Sequence, residues 1–200
     1  MNIVTSVRKS VLVLAATLLA ATASAQTSTW KIDTAHSGIE FKILHMGVSH
    51  VRGTLHLAQT PVALVHLDEK DIAKSSVEAT IDANSVNTSE PARDKHLKSD
   101  AFFNVEKYPT LTFKSTSLSK AGGKLTLTGD LTLTGVTKSI TLTLDGPAPP
   151  QTDAKGITRS GFSASGTLHR KDFNFGAGFG TAMLGDDVEF TIDIEMDKQP

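Results

Sequence analysis

KLTLTGDLTLTG, residues 124–135, places Leu125, Leu127, Leu131 and Leu133 on one parity, with Gly129 in step between them and threonines mostly on the other. That two-residue period belongs to a strand with one buried face. Because the register survives the glycine, the stretch reads as one long strand bent at Gly129 and not as two strands joined by a turn.

The same alternation recurs outward in both directions. GIEFKIL points Ile39, Phe41 and Ile43 one way, and VRGTLHL does so with Val51, Leu55 and Leu57, leaving Arg52, Thr54 and His56 opposite. These two predict a hairpin through HMGVSH. SVEATIDA aligns Val77, Ala79, Ile81 and Ala83 inward with Thr80 outward; TLTFKS aligns Leu111 and Phe113; SITLTLDG aligns Ile140, Leu142 and Leu144. PAPPQTDAKG is a loop by its prolines. SGFSASGTLH then turns Phe162, Ala164, Gly166 and Leu168 inward, and DVEFTIDIEM does the same with Val188, Phe190, Ile192, Ile194 and Met196. The glycine-rich, aromatic RKDFNFGAGFGTAMLGD between them reads as a mobile lip.

Helical periodicity is nearly absent, so the fold class is all-β. About eight antiparallel strands with one apolar face each predict a closed barrel, since closure removes exposed edges; a two-sheet sandwich is the alternative. Inward Phe, Ile and Leu mixed with Ala and Gly are compatible with a cavity along the axis. RDKHLKSDAFFNVEKYPTLTFKS, residues 93–115, breaks the pattern. A charged helical turn followed by Phe102 and Phe103 is either a plug at one barrel mouth or a charged site. EPARDKHLKS predicts a short helix with Pro91 in its first turn and Ser89 as N-cap, its charges in solvent and at least one Phe pointing inward.

Residues 1–25 carry Arg8 and Lys9, an apolar run from Val11 to Ala23, and small residues at Ala23–Ala25. This is the layout of a cleaved secretory signal, which predicts a mature chain from Gln26 and a soluble periplasmic protein. Residues 26–200 then form one domain, large enough for a core without staples. There is no cysteine, so neither disulfides nor a lipid-carrying cysteine is expected. Of 20 basic and 21 acidic residues, the signal removes two basic ones, leaving a mature formal charge of −3 that argues against nucleic acid.

His36, His45, His50, His56, His66, His96 and His169 lack metal-ligand spacing, and no His-Glu-x-x-His motif occurs, so no metal is expected. DTAHS brings Asp33, His36 and Ser37 close in sequence, but turn chemistry explains Asp33 and Ser37 more economically than a triad does. A hydrolase using the His36/His45 region is the competing functional class. His45 follows the inward parity of Ile43, either as a structural histidine bonded to a carbonyl or as a polar handle for a head group.

WKIDTAHSGIEFKILHMGVSHVRGTL, NTSEPARDKHLKSDAFFNVEKYPTLTFKS, GDLTLTGVTKSITL and HRKDFNFG resemble, in order and spacing, four segments of the YceI-like family. The most specific part is Arg93, Asp94, His96, Leu97, Phe102, Phe103, Tyr108, Pro109 and Phe113. One departure is Asn174 before Phe175, where the family continues directly with glycine. The resemblance implies an extended, lipocalin-like antiparallel β-barrel with a helical insert at one mouth and a long internal tunnel. It implies further that this tunnel would bind a polyisoprenoid or similar long-chain amphiphile, for example a quinone or polyprenyl lipid, with no cofactor and no catalytic activity expected. Inward parity puts Phe41, Ile43, His45, Val51, Leu55, Ile81, Phe113, Leu131, Phe162, Leu168 and Phe190 on the tunnel wall; the motif segments add Leu97, Phe102, Phe103 and Phe173. Transient exchange with a membrane is expected, because a bilayer already shelters such a tail. Alternation leaves open whether two chains pair as a homodimer.

Overall fold

A computed structural model describes residues 27–200; the expected signal segment, residues 1–25, lies outside the described residues. Among the described residues the strands in chain order are β1 (Thr27–Ile32), β2 (Gly38–His45), β3 (Ser49–Leu57), β4 (Leu64–Asp68), β5 (Ser76–Asn87), β6 (Thr110–Ala121), β7 (Lys124–Leu133), β8 (Val136–Asp145), β9 (Gln151–Thr152), β10 (Thr158–His169) and β11 (Leu184–Lys198), with one α-helix, α1 (Pro91–Lys98), between β5 and β6. All the pairings are antiparallel.

Eight of the eleven strands close a ring in the order β3, β2, β11, β10, β8, β7, β6, β5 and back to β3. The predicted hairpin is β2–β3, with Ile39 opposite Leu55 and Ile43 opposite Val51. The strand expected to bend at Gly129 is the continuous β7, and its ladder with β6 shifts register between Ser115 and Ser117, beside that glycine.

The strands that alternation did not single out, β1 and β4, explain why the barrel is long. One edge of β11 pairs with β2 from Leu184 to Asp193 and then with β1 at Met196–Lys198. The matching edge of β5 pairs with β4 at Ser76–Glu78 and with β3 from Ile81 onward. Two strand pairs, β2–β3 and β1–β4, therefore follow one another along the axis between the same two long strands. The β1–β4 end is closed by Trp30 and Ile32, at most 1 % exposed, with the Trp30 indole N–H donating to Ser28 Oγ at 2.8 Å. A buried indole needs such a partner for its polar edge.

Three inward glycines share a purpose. A Cβ at Gly53, Gly129 or Gly166 would lie 2.5, 2.4 and 2.7 Å from Cζ of Phe41, Phe113 and Phe190 respectively. Carbon atoms prefer about 3.5–4.0 Å, so each glycine lets a phenylalanine ring lie against the opposing backbone, and the rings line the barrel instead of filling it.

Two local readings are corrected. The N-cap of α1 is Glu90, whose carboxylate accepts the Ala92 N–H at 3.2 Å, while Ser89 occupies the left-handed region one residue earlier at φ 61°. Its own N–H is already taken by Asn87 Oδ1 at 2.8 Å. Thr80 does face away from the bore, yet it is 8 % exposed, because the connection after β3 returns over it and Ala58 N–H bonds its carbonyl at 2.8 Å.

Candidate functional site

The ring encloses an apolar cavity of about 320 Å³ that opens at the end bearing α1. It follows β11 from Leu184 to Ile194, on the order of 25 Å along the axis at ordinary strand rise and barrel tilt. Ile32 forms its floor.

Of the residues placed on the wall from sequence, Phe41, Ile43, His45, Val51, Leu55, Ile81, Leu97, Phe102, Phe103, Phe113, Leu131, Phe162, Leu168 and Phe190 line this cavity. Phe173 does not. It ends a 3-10 turn, Arg170–Phe173, and is 1 % exposed in the core outside the bore, its carbonyl accepting from Thr134 Oγ1 at 2.8 Å. Asn174 then takes the left-handed conformation at φ 57°, which a short polar side chain tolerates. The chain reverses there, and Phe175 reaches the bore in place of Phe173.

Segment 174–183 is no loose lip, because Arg170 holds it. This guanidinium is fully buried and donates from Nε to Gly185 O at 2.8 Å, from Nη1 to Phe175 O and Gly176 O at 3.1 and 2.7 Å, and from Nη2 to Phe179 O and Leu184 O at 2.7 and 2.9 Å. Burial draws its pKa below the usual value, with the Asp186 charge opposing. Donation from one side chain to five backbone carbonyls turns a glycine-rich segment into a shaped rim.

That rim meets the stretch after α1 in an aromatic cluster. The Phe102 ring stacks on Phe179 at 5.2 Å and meets Phe175 edge-on at 5.3 Å; Phe103 meets Phe175 at 4.7 Å. Both Phe102 and Phe103 are buried, at 7 % and 6 % exposure, so both point inward. Gly176, at φ +62°, allows the contact, since a Cβ there would sit 2.7 Å from the Phe102 ring.

Among the described residues, only His45, Arg93 and His96 interrupt the apolar wall, and all three stand at the mouth. Arg93 donates from Nε to Thr88 Oγ1 at 2.8 Å and from Nη2 to Thr88 O at 2.9 Å, which orients it toward the opening. His96 packs edge-on against Phe102 at 5.1 Å and Phe179 at 5.9 Å. Arg93 and His96 were missed as wall residues. Their signal was present, since positions 93, 96 and 97 share a helix face at three- and four-residue spacing with the inward Leu97. Phe179, Met183 and Leu184 were missed because no periodicity extends into a segment shaped by Arg170.

The other histidines lie elsewhere. His36 and His45 sit near opposite ends of β2, so no site includes both. His36 Nδ1 bonds Asp33 Oδ2 at 2.8 Å, and the Ser37 hydroxyl is engaged with the Glu195 backbone, donating to its carbonyl at 3.3 Å and accepting its N–H at 3.0 Å. Spacing in the sequence offered no metal set, but folding gathers ligand atoms of Asp33, His36 and Glu195 within 4.8 Å of one another at the surface. Arg159 joins the same group, 3.4 Å from Glu195 and 2.7 Å from Asp153. Its positive charge makes this an ion-pair network.

A family model described as the YceI-like domain matches residues 30–196. Proteins named YceI from Salmonella arizonae and Salmonella enteritidis PT4 are each 41 % identical over 184 residues, covering 90 % of this chain and 92 % of theirs. Among solved structures, the Campylobacter jejuni YceI protein superposes with a TM-score of 0.67 at 32 % identity, over 76 % of this chain and 88 % of that one. A polyisoprenoid binding domain from Saccharophagus degradans, at 17 % identity and a TM-score of 0.56 over 85 % of this chain and 98 % of its own, shares the fold. With the family match spanning nearly all the described residues and these relatives covered almost end to end, the chain belongs to the YceI-like family.

Proposed function

We propose that this protein is a periplasmic lipid-binding protein that carries or sequesters a polyisoprenoid or similar long-chain amphiphile, tail in the bore and head group at the mouth. The observation that carries this reading is the cavity, apolar along its length with His45, Arg93 and His96 confined to its open end. A few placed polar groups on an otherwise apolar pocket are what orient an amphiphile. His45 makes no side-chain hydrogen bond among the described residues, which leaves its ring nitrogens for a head group; that favours the handle over the structural role.

Each CH₂ transferred from water is worth roughly 0.8 kcal/mol, but the competing site for such a tail is a bilayer, where it is already dry. Exchange is then nearly balanced, which suits a carrier more than a store. The bore length compares with the roughly 30 Å hydrocarbon core of a membrane. The relative that is a polyisoprenoid binding domain supports the ligand class at the level of fold. The signal-like residues 1–25 support the compartment.

The test is organic extraction of the protein purified from its secreted fraction, with mass spectrometry of the extract and of the intact chain. A long-chain amphiphile in stoichiometric amount and a chain starting at Gln26 are expected. A preparation without extractable lipid that also fails to take up a polyprenyl lipid from detergent removes the carrier reading, and residues 1–25 retained in the secreted chain remove the cleavage.

A further inference from the structure

Six large apolar residues are substantially exposed among the described residues, and four of them stand together at the mouth: Leu44 at 38 %, Met46 at 59 %, Val48 at 83 % and Met183 at 52 %. Leu44, Met46 and Val48 lie on the β2–β3 hairpin, and Met183 is tied to its tip by the Met46 N–H donating to the Met183 carbonyl at 2.8 Å. We propose that this hairpin tip, with Met183, docks into a phospholipid surface and holds the open end of the bore against it, a reading that rests on the proposed lipid-carrying function.

The turn itself is built against local chemistry. Met46 occupies the left-handed region at φ 51° and is followed by Gly47 at φ 71°. Such positions favour Asn, Asp or Gly, and an exposed tip favours polar side chains. Met and Val stand here instead, and a sequence that violates local preference at an exposed point marks a functional surface.

The patch is continuous with the bore. Met183 is half exposed and also lines the cavity, with Leu184 and His45 beside it. An apolar tail leaving along this side meets water only where the tip does, and in a lipid surface it meets none.

Charge fits the same occupant. From Phe41 to Arg52 the hairpin carries Lys42, His45, His50 and Arg52 and no acid. Of the acids on β11, Glu189 pairs with Lys42 Nζ at 2.9 Å, Asp187 bonds His169 Nδ1 at 2.8 Å and Asp186 accepts the Lys171 N–H at 3.1 Å, which leaves His45, His50 and Arg52 as the basic groups of the hairpin without an acidic partner among the described residues. A second copy of the chain fits less well, since four side chains on a protruding tip fall far short of the about 800 Å² per partner in a stable dimer.

Tryptophan reports the contact cleanly, because the one native tryptophan, Trp30, is fully buried at the closed end. Val48→Trp and, as the control near the closed end, Ile157→Trp are mixed with phosphatidylcholine vesicles containing phosphatidylglycerol, and flotation of the parent is compared with that of Met46→Ser/Val48→Ser. The expected result is a blue shift and quenching by brominated lipid tails for Val48→Trp alone. Flotation of the double variant should fall at least tenfold at the parent's thermal midpoint. Equal shifts at both tryptophans, or undiminished flotation of the double variant, overturn the docking. So does a Val48-dependent dimer on gel filtration without vesicle binding, which would assign the patch to a second copy. Extracts of the same preparations report the carrier reading separately: a parent that floats but neither holds nor takes up lipid keeps the docking surface and loses the cargo.

Discussion

Replacing Gly166 by alanine tests whether the bore is empty space into which a ring can move. The new Cβ would lie 2.7 Å from Phe190 Cζ, 3.3 Å from Phe190 Cε1 and 3.1 Å from Leu142 Cδ2, all of them side-chain atoms on the cavity wall. Restoring an ordinary carbon contact needs a displacement of about 1 Å, and the only free direction is into the cavity. Removing a strand glycine returns about 0.4–1 kcal/mol through the unfolded chain, against a repacking cost of similar size. The net change should stay within about 1 kcal/mol, a midpoint shift of no more than about 2–4 °C for a chain of this size. Bound lipid should fall, because the ring now occupies its space. Gly129→Ala is the counterpart: its Cβ would meet Phe113 Cζ at 2.4 Å and also the Lys114 backbone carbonyl at 2.7 Å, which has nowhere to go. That variant should lose about 2–3 kcal/mol or more. Urea titrations of both variants, with lipid extraction of Gly166→Ala, decide the matter. If Gly166→Ala is destabilised as much as Gly129→Ala, the cavity does not yield and the reasoning is wrong; if it keeps both full stability and full lipid, Phe190 does not move into the ligand's space.

Arg170→Met should cost at least about 3 kcal/mol, since it leaves carbonyls of the rim segment without the charged donor they share; a loss under 1 kcal/mol by denaturant unfolding would show the rim to be held by other means. Ile81→Trp, on the bore wall, should reduce bound lipid while remaining folded. The appropriate control is Thr112→Trp, because Thr112 is exposed and pairs across from the buried Thr80; equal lipid in both would refute the assigned face. Asp33 lies below its usual 3.8 and His36 above its usual 6.5, each chiefly through their mutual hydrogen bond. The His36 contribution is complete below pH 6.5 and is lost as pH rises through the raised folded value, whereas that of Asp33 is present above 3.8 and is lost as pH falls through the lowered one. Asp33→Asn should therefore move the His36 titration, followed by NMR, down toward 6.5, and an unchanged titration would contradict the pairing.

Alternation alone determined which residues of β2, β3, β5, β6, β7, β8, β10 and β11 face the axis, because a strand's side chains change sides at every residue whatever lies next to it. The wall from Phe41 to Phe190 was legible for that reason, and the helix with its pair of phenylalanines stood out by breaking the period. What a wall encloses depends on register, and register is not local. That Phe41 and Phe190 fall opposite Gly53 and Gly166, and Phe113 diagonally across from Gly129, so that the rings clear the bore instead of plugging it, was decided when the strands paired. The closed end is likewise tertiary, since β1 and β4 take up the edges of β11 and β5 that β2 and β3 leave unpaired. At the mouth, Phe173 and Phe175 share a parity, and the sequence placed Phe173 on the wall where the structure places Phe175. Their separation into core and bore follows from the left-handed Asn174 and from the long-range hydrogen bonds of one buried arginine, whose partners lie 5 to 15 residues away, beyond the reach of any local pattern.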